Sequence, residues 1–220
     1  TPDNNWCGIW DVGEGIANGN LGHAFGVDGT DERSLTRAMV AGRRQAIEYE
    51  RYLREYLKEG FENARVVSTA EVLGVRASRR VVGDYVLTFE DYLKRATFED
   101  EIGRFSYTID VHPTTTDKAV IDAYRHREGA STAYGKGDSY GIPLRTLIPR
   151  GLGNVLVAGR CISTDHYVQG SVRVTPGCHI TGQAAGMAAA MSVAARLIVP
   201  PLKLKIGSVF VQAAFSPRTL

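Results

Sequence analysis

The stretch that decides the fold runs from Asn154 to Ala195, NVLVAGRCISTDHYVQGSVRVTPGCHITGQAAGMAAAMSVAA. It begins with the apolar run Asn154–Ala158, which predicts a strand, and then passes through a Gly-Arg pair into a loop. Thr175 and Pro176 mark the start of a long helix rich in Gly and Ala, because proline is favoured at the first helical position. The stretch therefore predicts a strand, a loop and a helix in succession.

The predicted helix start is suited to an electron-rich ligand. Its first backbone N–H groups have no partner within the helix, and the positive end of the helix dipole lies behind them. These groups belong to Gly177, Cys178 and His179. One face carries almost no side chain and could lie very close to a sheet, with Gly182, Gly186 and Ala190 four residues apart. A tightly packed strand and helix without any ligand would show the same spacing, and spacing alone leaves both interpretations open.

Composition excludes several classes of protein. The chain has 220 residues, with 26 Lys and Arg against 24 Asp and Glu, and a net charge of +2. That balance does not favour nucleic-acid or membrane-surface binding. No apolar run is long enough to span a membrane, and the N-terminus lacks the pattern of a signal peptide. The composition is that of an ordinary globular protein, and whether it forms a homo-oligomer is left open.

The cysteines indicate the compartment. There are three, Cys7, Cys161 and Cys178, without a CxxC pair or metal-ligand spacing. An odd number argues against a disulfide framework and for a reducing compartment, so the predicted location is the cytoplasm and no metal site is predicted. The chain does not begin with Met, which suggests a fragment of a longer protein.

The rest of the chain predicts mixed secondary structure. The clearest helix spans Asp31–Lys58, with apolar residues every three or four positions and Gly60 after it. The glycine-rich first 30 residues predict turns around short strands better than a phosphate-binding loop. Thr88 and Asp91 resemble a capping box that opens a short helix. Strands are predicted at 64–68, 74–88, 105–112 and 140–148, with a polar loop or insertion at 113–137. The fold class is α/β or α+β.

Two groups of polar residues are candidates for chemistry. Asp110 and His112 are two apart in a predicted strand, where a carboxylate can orient an imidazole ring, although surface strands carry such pairs by chance. Arg76, Arg79 and Arg80 lie in another predicted strand, where alternation would turn one of them inward. The alternative is that all three arginines lie on a solvated edge.

Four segments together resemble the FAD-dependent oxidoreductases, within the wider group of flavoproteins that includes fumarate reductase and succinate dehydrogenase. They are Gly42–Gln45, Leu73–Gly83, Tyr107–His112, and the run from Ile142 to Gly186. The most specific pieces are IPLRTLIPRGLGNVLVAGRCIS and GSVRVTPGCHITGQAAG. The resemblance covers about residues 28–195.

The resemblance implies a substrate domain in residues 1–140 and, in 141–197, the returning strand and helix of a Rossmann-like FAD-binding domain. No role is assigned to 198–220. It implies FAD as cofactor, with the helix start facing the flavin pyrimidine edge, and cofactor contacts at Gly159, Arg160, Cys161, Ser171, Thr175, Pro176, Gly177 and Cys178. No GxGxxG unit with a following acidic residue is present, so the ADP-binding half of the site is missing and this chain alone is expected to bind FAD weakly.

The implied reaction is hydride transfer between a small-molecule organic substrate and flavin. Arg173 resembles an arginine that faces the substrate near the flavin, and the other candidates are His112 as base, Asp110 as its orienting group and Arg79 as an anion clamp. A non-catalytic binding or scaffold domain that keeps the fold without flavin is the main alternative. A cofactor-free α/β domain with chance motifs is the third.

Overall fold

A computed structural model describes residues 8–112 and 134–194. Most of the predicted 113–137 loop and all of the 198–220 tail lie outside these residues. The chain divides into two compact units, which in the described part are residues 8–75 and residues 76–112 with 134–194. Secondary structure is a mixture of helices and small antiparallel sheets, as the sequence predicts at the level of class.

The first unit contains a hairpin and the long helix. Strands β1 (Gly8–Gly13) and β2 (Ile16–Asn20) pair antiparallel. Gly13 and Gly15 have positive φ in the turn between them, which explains two of the turn glycines. Helix α1 (Glu32–Tyr56) confirms the predicted helix, and a short turn α2 (Lys58–Phe61) follows it.

Helix α1 begins where its cap residue dictates. The Asp31 carboxylate accepts a hydrogen bond from the Ser34 N–H at 2.8 Å, which satisfies one of the unpaired donors of the first turn. Along the exposed face, Arg51 donates to Glu55 at 3.3 Å, one turn away. The charges of α1 therefore stabilise the helix locally, as their spacing indicates.

The second unit is built on a buried pair of strands. Strands β3 (Glu101–Phe105) and β4 (Tyr140–Pro143) pair antiparallel, with Phe105 opposite Tyr140. β4 is buried along its length and ends at proline, which has no N–H to continue the ladder. A 3₁₀ turn (Leu144–Leu147) follows. The core around this pair includes Leu87, Tyr92, Ile102, Ile109, Ile142, Leu147, Ile162, Val168, Val172, Ala184 and Ala188.

Three helices surround this core. Helix α3 (Phe89–Lys94) starts at the predicted capping box, in which the Thr88 hydroxyl and the Asp91 carboxylate each accept from the other's backbone N–H. Helix α4 (His166–Val172) and helix α5 (Thr175–Ala194) follow each other almost directly. None of the helices in the described part of the chain is both long and apolar enough to cross a membrane.

Several predicted strands are wrong. Residues 64–68, 74–88, 106–112 and 154–158 form no strand, apart from isolated bridges at Gly83 and Leu87. An extended segment becomes a strand only when a neighbouring backbone completes its ladder. Residues 154–158 pack Leu156 and Val157 against the core, and the Val157 N–H donates to the Leu147 carbonyl at 2.9 Å, but no strand ladder forms. The structure therefore contains none of the expected Rossmann sheet among its described residues.

Two expectations about the helices are also wrong. The segment before Arg173 is not a loop but helix α4, because Asp165 caps it by accepting from the Val168 N–H at 2.8 Å. The stripe at Gly182, Gly186 and Ala190 does not lie against a sheet; all three residues are exposed. The face of α5 that packs on the core is instead Gly177, Thr181, Ala184, Ala188 and Ser192.

Candidate functional site

Helix α4 brings distant segments of the second unit together. Its cap residue Asp165 also accepts from the Phe89 N–H at 2.5 Å, which ties the helix start to α3. The buried Ser171 hydroxyl donates to the Tyr107 carbonyl at 2.6 Å and shares a hydrogen bond with the Tyr140 hydroxyl at 2.9 Å. The helix is thus fixed to the segment that carries Asp110 and to strand β4.

Gly170 allows that segment to pass directly against α4. A Cβ at this position would lie 2.7 Å from Val111 Cγ2 and 3.1 Å from the Asp110 carbonyl oxygen. The first distance is shorter than real Cβ contacts and the second is tight, so a side chain here would displace Val111 and press against the Asp110 backbone. The backbone of Asp110 therefore lies beside the C-terminal end of α4, where Arg173 follows.

Asp110 is the centre of a four-residue cluster, called here the Asp110 cluster. Arg173 Nη2 donates to Asp110 Oδ2 and to the Asp110 carbonyl oxygen, both at 2.9 Å. His112 Nε2 lies 2.8 Å from Oδ1. Arg76 Nη1 lies 3.3 Å from Oδ2. One carboxylate is therefore shared by two guanidinium groups and one imidazole ring.

The cluster keeps Asp110 ionised. Burial alone would raise the pKa of this carboxyl group, but the hydrogen bond from His112 and the charges of Arg76, His112 and Arg173 outweigh it and lower the pKa from 3.8 to about 2. The two arginines against one carboxylate leave one positive charge in excess. The cluster therefore carries a net positive charge even though Asp110 is fully ionised.

Arg173 has donors to spare. Its side chain is only 10% exposed, and both of its described hydrogen bonds use Nη2. Within the described part of the chain, Nε and Nη1 make no hydrogen bond. Burial lowers the pKa of this guanidinium group, and the Asp110 charge offsets that effect only in part. Because a guanidinium group presents donors along two edges, one edge is held by Asp110 and another can bind an oxyanion.

The structure separates the three arginines of the 76–80 segment. Arg76 joins the Asp110 cluster, and Arg80 donates to the Thr164 carbonyl at 3.1 Å. Arg79, the sequence candidate for an anion clamp, is exposed and makes no described contact with the cluster. No strand forms here, so alternation is not what turns a side chain inward. Arg76, three residues earlier, is the arginine of this segment that contacts Asp110.

The start of helix α5 offers fewer free donors than expected. The Cys178 N–H donates to the Val174 carbonyl at 3.0 Å, because the helix begins at Thr175, one residue before the predicted start. The N–H groups of Thr175 and Gly177 have no partner among the described residues, and Pro176 has none to donate. Two donors therefore remain for a ligand, which fits the electron-rich edge of a flavin in part.

The remaining cofactor candidates lie around the 3₁₀ turn Gly159–Cys161. The Gly159 N–H donates to the Thr181 hydroxyl at 2.9 Å, and Cys161 Sγ lies 3.4 Å from the Ala158 carbonyl oxygen. Arg160 is exposed. Burial raises the pKa of the Cys178 thiol, so that thiol is not activated as a nucleophile. Ser171 is fully buried and its hydroxyl is hydrogen-bonded to Tyr140, so it holds helix α4 in place instead of contacting a ligand.

Two residues of the site, Arg76 and Gln169, are not among the candidates that the sequence predicts. No sequence signal separates Arg76 from Arg79 and Arg80; its distance to Asp110 does. Gln169 is buried in α4 and donates through Nε2 to the Arg76 carbonyl at 3.0 Å. A glutamine within a short helix carries no sequence signal for such a role. In residues 8–112 and 134–194, no group of three His, Cys, Asp or Glu side chains could hold a metal ion.

Comparison with known protein families matches residues 6–206 to the family described as FAD dependent oxidoreductase. The match spans most of the chain, including both units and the Asp110 cluster. No curated protein matches the chain, and no solved structure does.

Proposed function

We propose that this chain, which belongs to the family of FAD-dependent oxidoreductases, forms the substrate-facing side of a flavin site. The reaction is hydride transfer between a small organic anion and FAD. The observation that supports this proposal is the Asp110 cluster, in which a nearly buried arginine keeps unused donors beside an excess positive charge. Such a group binds a carboxylate or similar oxyanion with defined geometry.

Each member of the cluster has a role in the proposal. Arg173 binds and orients the substrate anion through the donors that Asp110 does not use. Asp110 accepts from His112 Nε2, which favours the ring tautomer with its proton on that nitrogen. His112 is the candidate proton acceptor of the cluster, because Asp110 orients its ring. Arg79 contributes at most long-range charge, because it is exposed and outside the cluster.

FAD, when bound, supplies the hydride acceptor. The residues that would hold its reducible edge are Thr175 and Gly177, whose backbone N–H groups favour negative charge at the start of α5. The Gly159–Cys161 turn, Pro176 and Cys178 would line the same side. Gly177 is buried, so its donor is shielded from solvent. These contacts are proposals, as is the assignment of 1–140 to substrate binding and of 141–197 to the cofactor. The proposed location is the cytoplasm.

The test begins with the protein purified from its natural source at its full native length, because the 220 residues alone are expected to bind FAD weakly. We expect it to carry flavin, seen as the visible absorption bands of the oxidised cofactor, and to lose these bands anaerobically when a suitable organic anion reduces it. Small hydroxy acids and dicarboxylates are the panel to screen. Arg173→Gln should abolish the bleaching while keeping the bound flavin, and Arg150→Gln, at an exposed arginine, should behave as wild type.

A native protein that stays colourless even after incubation with added FAD would contradict the proposal. The family fold would then serve as a non-catalytic binding or scaffold domain.

A further inference from the structure

Gln169 connects the two arginines of the Asp110 cluster. Its side chain is 3% exposed, and its Nε2 donates to the Arg76 carbonyl at 3.0 Å. The backbone carbonyl of Gln169 accepts a hydrogen bond from the Arg173 backbone N–H at 3.2 Å, at the end of helix α4. One residue on a fixed helix is therefore bonded to the backbone of both cations.

Gln169 is a hydrogen-bond partner of the Arg76 backbone carbonyl. Arg76 is the first residue of the second unit and lies in a segment without helix or strand. No ladder of backbone hydrogen bonds sets its position, whereas Gln169 lies within α4, which is capped by Asp165 and packed on the core. A buried amide that bonds a loop carbonyl fixes the loop to the helix.

The position of Arg76 decides the charge of the site. With Arg76 in place, two guanidinium groups share one carboxylate, and the cluster keeps one positive charge in excess. With Arg76 displaced, Arg173 and Asp110 would form a neutral pair, and the attraction for an anion would fall.

We propose that Gln169 is a positioning residue that sets the positive charge of the substrate site by holding Arg76 against Asp110. This inference rests on the proposed function for its role in substrate selection, but its structural part does not. Gln169 does not touch the substrate; it acts through Arg76. It makes the site selective for anions over neutral substrates of the same shape.

The decisive readout is the titration of the Asp110 carboxyl carbon, followed by NMR in the flavin-free chain. Gln169→Met keeps the size of the side chain and removes the donor. We expect the pKa of Asp110 to rise by about half a unit or more, a roughly threefold or greater change in proton affinity. Arg76→Gln should give a similar rise, and the double variant no further rise, because both changes remove the same charge.

Matched variants separate this role from general packing. Gln183→Met, at an exposed glutamine of α5, should leave the titration unchanged. If Gln169→Met fails to fold, Gln169→Asn gives the same test, since its amide is one methylene too short to reach Arg76. In the flavin-loaded enzyme, Gln169→Met should raise KM for an anionic substrate with little change in kcat.

An Asp110 titration in folded Gln169→Met or Gln169→Asn that matches wild type would overturn the inference. The failure of the proposed function would look different, because absence of bound flavin would leave the Asp110 titration and its response to Gln169 unchanged.

Discussion

Burial and neighbouring charges have opposite effects on the pKa of Asp110. Burial favours the neutral acid, yet two arginines and a histidine stabilise the carboxylate more strongly, and the pKa falls to about 2. The side chain is 28% exposed, so solvent screens part of these interactions. The net effect is a carboxylate that stays charged at neutral pH and orients three partners.

The first prediction concerns acid stability. Since the folded-state pKa of Asp110 lies below its ordinary 3.8, its contribution is complete above about pH 4 and is lost as pH falls towards 2. After allowance for screening, this contribution is on the order of 1–2 kcal/mol. Urea unfolding between these pH values should therefore show a steeper loss of stability for wild type than for Asp110→Asn.

Asp84→Asn is the matched control for that measurement, because Asp84 is an exposed aspartate of the same unit. Its pH dependence should follow wild type. An Asp110→Asn protein whose stability falls with acid as steeply as wild type would show that the cluster does not stabilise the ionised carboxylate.

At the scale of elements, the junction of α4 and α5 leaves no room for a side chain at Gly177. Gly177 lies in the first turn of α5, and an added Cβ would overlap the Val172 carbonyl oxygen at the end of α4. Backbone cannot move aside as a flexible side chain can. The missing side chain at this position thus lets the two helices meet end to end, with Arg173 in the short link between them.

The second prediction compares two glycines of the same helix. Gly177→Ala should destabilise the chain by about 2–3 kcal/mol, because it overpacks a buried contact. Gly186→Ala should instead stabilise it by about 0.5–1 kcal/mol, because Gly186 is exposed, has open space around it and alanine favours the helix. Thermal and urea unfolding of both variants measure the difference.

Equal effects at the two positions would contradict the packing described here. Strong destabilisation by Gly186→Ala in particular would mean that the bare stripe of α5 lies against another part of the protein.

The elements that the sequence predicts well are those that depend on nearby residues. Helix α1 has its own periodicity and cap, and the capping box at Thr88 needs only four residues. The strand predicted at 154–158 fails because its pairing partner would have to come from elsewhere in the chain. The sequence does not predict helix α4, because seven residues carry too little periodicity.

The candidate site was partly predictable for the same reason. Asp110 and His112 do pair, at 2.8 Å, although the strand that suggested their pairing does not form. Arg173 follows from the family motif. The choice of Arg76 over Arg79, and the contact from Gln169, depend on residues 34 and 93 positions apart along the chain. No local pattern contains that information.

At the scale of the whole molecule, the described chain is two compact units, and the whole Asp110 cluster lies within the second. This unit can therefore be tested for anion binding without flavin. The central claim is that its excess positive charge and the unused donors of Arg173 bind a small organic anion.

The most direct test is a calorimetric titration of the folded chain with malonate, a simple dicarboxylate, at neutral pH and fixed ionic strength. Wild type and Arg150→Gln should bind malonate at one saturable site, and Arg173→Gln should bind it about tenfold or more weakly, through loss of charge-assisted hydrogen bonds. No saturable binding to wild type, or equal binding to folded Arg173→Gln, would contradict the account.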